Sequence, residues 1–281
     1  MGRTILSLAA RLMRSRSRLS SRIDKVLVRL HKEHENLDYD FVKNGEAAIL
    51  RKLADMNGFR TIVDVGANKG DWSLIASELF PQANIHSFEI VPKTYSRLVE
   101  NCGKRPNIAC HNIGLSDTEG MSTVFFSPDK SGVATCVPNF SEQFHKYDPE
   151  TIEARVSTGD VFCADHGIET IDFLKIDVEG YEHKVLKGFE GMLKKGNVRI
   201  IQFEYGYINI DTHFLLKDFH DYLKRFDMKV GKIYPSYVDF RAYRYSDEDF
   251  YGPNYLAVHS ASDKFADALS DHSLSEKGIR G

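Results

Sequence analysis

Apolar positions along this chain fall into short β-branched runs separated by stretches with helical spacing. Thr61-Ile62-Val63-Asp64-Val65 is one such run, Asn84-Ile85-His86-Ser87-Phe88-Glu89 the next, and residues 107–112 a third. Further strands are predicted at about 152–157, 171–176 and 198–203, with a final pair at 228–234 and 254–259. Helical periodicity runs through Ala47, Ala48, Ile49, Leu50 and Leu53, resumes after Gly70, and returns through Tyr95, Leu98 and Val99. Alternation of this kind predicts a parallel sheet covered on both faces. Residues 127–150, rich in Ser, Pro, Asp and Asn, read as one long connection, of a length typical of a substrate lid. Residues 1–32 place Leu8, Leu12, Leu19, Ile23, Val26, Leu27 and Leu30 at roughly helical spacing among arginines. That predicts a basic amphipathic helix or helix pair, suited to an anionic membrane surface or to a partner subunit, with partial disorder as the remaining alternative.

Where the first run stops, the chain reads Gly66-Ala67-Asn68-Lys69-Gly70 and flows into Asp71-Trp72-Ser73-Leu74. The glycines allow a sharp turn and close approach of a ligand, and the new helix presents unpaired N–H groups. Such a corner cradles a nucleotide-like cofactor. The nicotinamide fingerprint wants a second glycine where Asn68 stands, which weakens a dinucleotide reading. Glu89 closes the second strand nineteen positions after Gly70, where a carboxylate can accept hydrogen bonds from both ribose hydroxyls.

Charge narrows the field of partners. The net charge of −3 divides into about +8 over residues 1–32, where nine Lys or Arg meet the single Asp24, and about −11 over the rest. An acidic body repels a phosphate backbone, so nucleic acid is not expected as a substrate. Cys102, Cys110, Cys136 and Cys163 show neither a C-x-x-C spacing nor a paired histidine pattern. They read as reduced thiols of a cytoplasmic protein rather than a zinc site or a disulfide framework. Arg11, Arg14, Arg16 and Arg18 interrupt the early apolar positions, so neither a membrane span nor a secretory segment is expected there.

Several blocks together resemble the FkbM-like S-adenosylmethionine-dependent methyltransferases: Asn44-Gly45-Glu46, Asp64 through Gly70, Glu89, Gly114-Leu115-Ser116-Asp117, Leu174-Lys175-Ile176-Asp177-Val178-Glu179-Gly180, and Asn254 through His259. The likeness spans about residues 41–260, leaving 1–40 as a basic helical extension and 261–281 as a tail expected to be mobile. The resemblance implies an α/β, Rossmann-like class I methyltransferase fold: a seven-stranded, mostly parallel sheet with an antiparallel final strand and helices on both faces. It implies O-methylation of a sugar or polyketide-type hydroxyl. It also implies a cofactor site of Asp64, Gly66, Ala67, Asn68, Gly70 and Ile90, with Glu89 at the ribose and Ser116 and Asp117 near adenine. Glu46 enters the pocket on resemblance alone.

The chemistry then has to come from the strand ends, where ligands of open parallel sheets bind, and Asp177, Glu179 and Glu204 each stand at or just past one. A hydroxyl is a weak nucleophile, so a base must take its proton or a metal must lower its pKa. His183, four residues after Glu179, is a candidate base oriented by that carboxylate, with a solvated helix residue as the alternative. Asp177 with Glu179 or Glu204 is a candidate site for a divalent metal, though Asp177 is read first as a partner of the cofactor's ammonium. Nine of thirteen tyrosines lie between Tyr205 and Tyr255, among them Tyr207, Tyr234, Tyr237, Tyr243 and Tyr245. They suit stacking on sugar rings, or equally sheet edges. The leading reading is a methyltransferase acting on a saccharide, soluble or peripheral at the inner membrane face, with a homo-oligomer open. A methyltransferase for a non-sugar small molecule, a nicotinamide oxidoreductase and a non-catalytic scaffold are the alternatives.

Overall fold

The computed structural model describes residues 10–127, 130–138 and 149–270. Its main sheet takes shape from the β-branched runs: β1 (Thr61–Val65), β2 (Asn84–Phe88) and β3 (Ile108–His111) are the first three strands in the chain. A short strand β4 (Gly114–Leu115) follows, then β5 (Gly120–Ser127), β6 (Lys130–Thr135) and β7 (Glu150–Ser157). The chain then returns to the main sheet through β8 (Ile171–Ile176), β9 (Val198–Glu204), β10 (Met228–Ile233), β11 (Val238–Phe240) and β12 (Asn254–His259). The main sheet has the order β11-β10-β12-β9-β8-β1-β2-β3. Neighbours from β9 to β3 are parallel, and β12 inserts antiparallel between β9 and β10. This is the predicted mostly parallel sheet with its antiparallel late strand. An eighth, three-residue edge strand, β11, adds to the seven expected; it pairs with β10 from Gly231 to Ile233.

Alternate strand positions feed two cores, as the period-2 geometry of a strand requires. Val63, Leu174, Ile201 and Ala257 face one, with Phe162, Leu186 and Phe219 from the helices Gly159–Asp165, Glu182–Gly188 and Leu216–Lys224. Ile62, Phe173, Ile200 and Leu256 face the other, with Leu50, Ala76 and Leu98 from the helices Glu46–Ala54, Asp71–Leu79 and Pro92–Cys102. All six residues of β8 are buried, which is why this strand reads as a continuous apolar run broken only by Asp172 and Lys175.

The segment read as a lid differs from its expectation. A second, four-stranded sheet, ordered β4-β7-β5-β6, occupies this part of the molecule. β5 pairs antiparallel with both β7 and β6, and β6 lies inside the expected connection. The strand expected at 152–157 belongs to this sheet and not to the main one. Residues 139–148, the middle of the expected lid, lie outside the described residues.

The ends of the chain also depart from expectation. Residues 263–270, placed in a mobile tail, form the helix Asp263–Ser270, and its Phe265, Ala266 and Leu269 are buried against the core that holds Leu53 and Phe80. The i, i+1, i+4 spacing of those three side chains is enough to seat one short apolar face. Residues 271–281 and 1–9, the latter including Leu8, are outside the described residues. Residues 18–34 form the expected basic helix, capped by Ser17, whose hydroxyl accepts the Ser20 N–H. The segment after it is fastened to β10: Glu35 pairs with buried Lys232 at 2.6 Å, and Asn36 donates to the carbonyls of Asn44 and Ile233. No helix among the described residues is long and apolar enough to cross a membrane.

Candidate active site

The turn after β1 is shaped by a close approach. Gly66 has φ +84°, and a Cβ there would stand 1.8 Å from the carbonyl oxygen of Asp177 at the end of β8. The N–H groups of Gly66 and Ala67 both donate to the Phe88 carbonyl, drawing the turn onto the end of β2. Asn68 adopts φ +50°, and its Oδ1 is buried with no hydrogen-bond partner. Beside it sits Glu89, 6% exposed, with Oε1 accepting the Val91 N–H at 2.8 Å. Burial pushes the Glu89 carboxyl up to about 7 against the lowering effect of backbone N–H groups from Val91 and Asn68.

These residues form one wall of a cavity of about 330 Å³ at the carboxyl ends of the strands. Ile90, Ser116, Val178 and Tyr181 continue the wall, and Ser122, Val124, Ala134, Thr135 and Cys136 of the second sheet and its exit form the roof. A second compartment of about 300 Å³ is lined by Asn44, Glu46, Ala67, Lys69, Trp72, Lys175 and Asn254. Tyr39, Gly66, Asn68, Asp177 and Glu204 line both. A larger, open groove of about 610 Å³ lies at the opposite end, along Thr61, Asn84, Ile108, Asp172 and Arg199 where the strands begin. Those are the amino ends of the strands, whereas ligands of open parallel sheets bind at the carboxyl ends, where the smaller cavity lies.

At the seam of the two compartments, oxygens of Asp177, Glu179 and Glu204 lie within 4.8 Å of one another. Lys175 Nζ reaches Asp177 at 2.7 Å and Asp64 at 3.7 Å. Burial would lower the lysine's pKa, but Asp177, Asp64 and Glu46 outweigh it and keep the ammonium charged. No salt bridge reaches Glu179 or Glu204 among the described residues. Burial, then repulsion from Asp177 and Glu182, raises Glu179 to about 8. Burial, then Asp177 and Glu179, raises Glu204 well above the usual carboxylate range. The backbone turn that presents Glu179 is held from two sides. Thr135 Oγ1 donates to the Glu179 carbonyl at 2.6 Å, and Glu182 Oε1 accepts the N–H groups of Val178 and Gly180.

Of the residues named from sequence, Gly66, Asn68, Glu89, Ile90, Ser116, Asp177, Glu179 and Glu204 line the first compartment, and Ala67 and Glu46 the second. Four do not line either. Asp64 is fully buried beneath the turn, accepting the Ser73 hydroxyl at 2.6 Å. Gly70 packs on the helix Pro92–Cys102, where a Cβ would meet Cys102 Sγ at 2.2 Å. Asp117 faces outward in an ion pair with Lys184 at 2.8 Å.

His183 corrects the fourth expectation. Its helix begins only at Glu182, and Glu179 precedes it in a left-handed turn at φ +54°, so the four-residue spacing does not bring the two side chains onto one helical face. His183 is 8% exposed and stacks on Phe214 at 4.9 Å. Burial, with Lys187 and Lys184 nearby, pushes its pKa down to about 4.

Glu46 is held by three amides, accepting from Asn44 and Asn254 at Oε1 and from Gln202 at Oε2, so it reads as a scaffold for the compartment floor rather than a base. Of the tyrosines of residues 205–255, none lines the two compartments; Tyr205 is buried on Glu248, and Tyr234 stacks on Tyr237 at 5.1 Å. The aromatic groups at the cavity are Tyr39, Tyr181, Phe41, Phe88 and Trp72. The sequence reading also missed Lys175 and the roof; the K-I-D spacing, which sets a lysine two residues before a strand-end aspartate on the same strand face, was the available signal for the first.

Residues 64–230 match a family model described as the methyltransferase FkbM domain. The chain is 30% identical over 193 residues to the methyltransferase sdnD of Sordaria araneosa, covering 56% of this chain and 74% of that protein. It is 29% identical over 177 residues to the hexuronic acid methyltransferase AglP of Haloferax volcanii, covering 62% and 69%. A further relative is the 2-O-methyltransferase NoeI of Sinorhizobium fredii, 29% identical over 157 residues, covering 51% and 62%.

Proposed function

The chain belongs to the FkbM family of S-adenosylmethionine-dependent methyltransferases, and from that premise we propose that it methylates a hydroxyl group of a sugar or glycan. The observation that carries O-methylation is the seam itself. Two carboxylates with no salt bridge among the described residues, Glu179 of the first compartment and Glu204 shared by both, stand side by side there, Glu179 raised to about 8 and Glu204 raised well above the usual carboxylate range by burial and by neighbouring acids. The names of two relatives, a hexuronic acid methyltransferase and a 2-O-methyltransferase, support a saccharide acceptor. So does a mouth lined by the aromatic faces of Tyr39, Phe41 and Trp72 and the amides of Asn44 and Asn254, since rings with polar edges stack and hydrogen-bond in this way.

The residues fit the cofactor. Glu89 stands buried at the end of β2 to accept a ribose diol, and the orphaned Asn68 Oδ1 is a buried acceptor in need of a donor. Ser116 and Ile90 line the part of the cavity suited to adenine, and Gly66 to Lys69 run beside the part suited to the methionine end. Asp177 is left one oxygen for an ammonium after its bond to Lys175. When bound, the cofactor supplies a methyl group on a cationic sulfur. The chain's own task is to hold the acceptor oxygen in line with that group and to take its proton as it attacks. Either Glu179 or Glu204 can accept that proton once ionised. The hydroxyl oxygen would bond the methyl carbon as the carbon–sulfur bond breaks, the sulfur keeping that bond's electron pair and the hydroxyl proton passing to the carboxylate. Lys175 keeps the aspartates beneath the seam neutralised.

A second reading rests on the same cluster. Three carboxylates with oxygens within 4.8 Å of one another match the oxygen ligands of Mg²⁺, Mn²⁺ or Ca²⁺, which would lower the hydroxyl's pKa directly. Chelation separates the two: full activity after exhaustive removal of divalent ions excludes the metal. The test of the function is transfer of labelled methyl from S-adenosylmethionine to a panel of uronic and neutral saccharides. A methyl ether on a saccharide hydroxyl is expected. Turnover only with non-sugar hydroxyls would overturn the sugar, and calorimetry showing NADH but not S-adenosylhomocysteine bound would overturn the whole reading.

A further inference from the structure

The helix Arg18–His34 carries two stripes along its length. Leu19, Ile23, Val26 and Leu30 recur at i, i+4, i+7 and i+11, the spacing of a single helical face, with Leu27 at its margin. Arg18, Arg22, Lys25 and Arg29 repeat the same spacing one residue earlier, about 100° around the helix. Most of the apolar stripe is not covered by the body: Leu19, Val26, Leu27 and Leu30 are 57%, 57%, 52% and 60% exposed, Ile23 is half-buried, and Ser20 is the helix's one buried residue. Among the described residues, none of the four cations forms a salt bridge. The helix's far end is anchored through Glu35 and Asn36, and Lys32 lies over the Tyr251 ring at 5.4 Å. Tyr39 and Phe41, in the connection that follows, line the second compartment.

We propose that this face docks on an anionic phospholipid bilayer, with the apolar stripe at the boundary between headgroups and acyl chains and the basic stripe against lipid phosphates. Charge selects this occupant. Residues 1–32 carry about +8 on a chain whose remainder is about −11. A second copy docked helix to helix would bring an identical cationic stripe with only Asp24 and Glu33 as carboxylates in return, whereas an anionic surface answers both stripes at once. The adjoining connection then holds the mouth of the second compartment close to that surface.

Sedimentation of the full chain with vesicles tests this, using phosphatidylcholine alone or mixed with phosphatidylserine. Pelleting is expected only with the anionic vesicles, and added salt should weaken it as charge is screened. R22Q/R29Q should reduce partition about 25-fold, at about fivefold per charge removed. L19S/V26S/L30S should abolish it. Both variants should still bind S-adenosylhomocysteine, which shows that they are folded and keeps failure of docking distinct from failure of the methyl-transfer reading. Equal pelleting with neutral vesicles, or none with either, overturns the proposal. So does a dimer that L19S/V26S/L30S converts to a monomer without any vesicle binding.

Discussion

At the scale of single residues, the seam depends on a buried cation set among acids. Lys175 is 5% exposed and touches Asp177 and Asp64, with Glu46 close behind. Removing it leaves buried carboxylates without compensation, so K175M should destabilise the fold by about 3–5 kcal/mol in denaturant melts. A second change at D177N should recover part of that loss. Proton removal makes a different prediction. Glu179, raised to about 8, works as a base only when ionised, so kcat should rise with pH through an apparent pKa of the pair near 8. E179Q then discriminates between the two acids. If Glu204 is the base, losing its like-charged neighbour moves the rising limb to lower pH while turnover survives. If Glu179 is the base, turnover collapses. A profile identical to the parent in both E179Q and E204Q would remove these carboxylates from proton transfer.

At the scale of elements, the site is a meeting of two backbone turns that must nearly touch. Gly66 lets the turn after β1 pass beneath the end of β8, where any side chain would overlap the Asp177 carbonyl. G66A adds both that overlap and an L-residue at φ +84°, and should cost about 3 kcal/mol or more of stability while abolishing S-adenosylhomocysteine binding by calorimetry. The glycine was legible because a β-branched strand running into a glycine turn and a helix is a local pattern. The roof was not. β5 and β7 pair residues such as Met121 and Arg155, or Val124 and Ile152, about 30 positions apart. In β5 an apolar residue, Met121, is exposed and a polar one, Ser127, is buried, so local periodicity shows no strand over 120–127. The roof grips the active turn through Thr135, a contact between residues 44 positions apart.

At the scale of the whole molecule, the buried acids link stability to pH. Glu89 and Glu182 are raised to about 7 and Glu179 to about 8, chiefly by burial. The folded chain therefore keeps protons that the unfolded chain has released above about 4.5, and the stability these groups give is lost as pH rises through 7 to 8. His111 and His183, pushed down to about 4 by burial, act in the opposite sense between about 4 and 6.5. Two histidines offset only part of the effect of three acids below pH 6.5 and none above it, so the melting temperature of the ligand-free chain should fall most between pH 6.5 and 8; a flat or rising curve there would show that the acids ionise freely. S-adenosylhomocysteine at 100 times its Kd should add about 2.7 kcal/mol of stability. From sequence alone came the seven longer strands of the main sheet, the glycine turn after β1, and the places of Glu89, Asp177, Glu179 and Glu204 at strand ends, because each is written in spacing of two to about twenty residues. Only the packed chain decided that His183 turns into the core on Phe214, that Glu46 is tied up by three amides, that Asp64 and Gly70 support rather than line the cavity, and that Lys175 holds its floor. Those outcomes depend on which distant side chains share a buried volume, and a one-dimensional pattern carries no record of that.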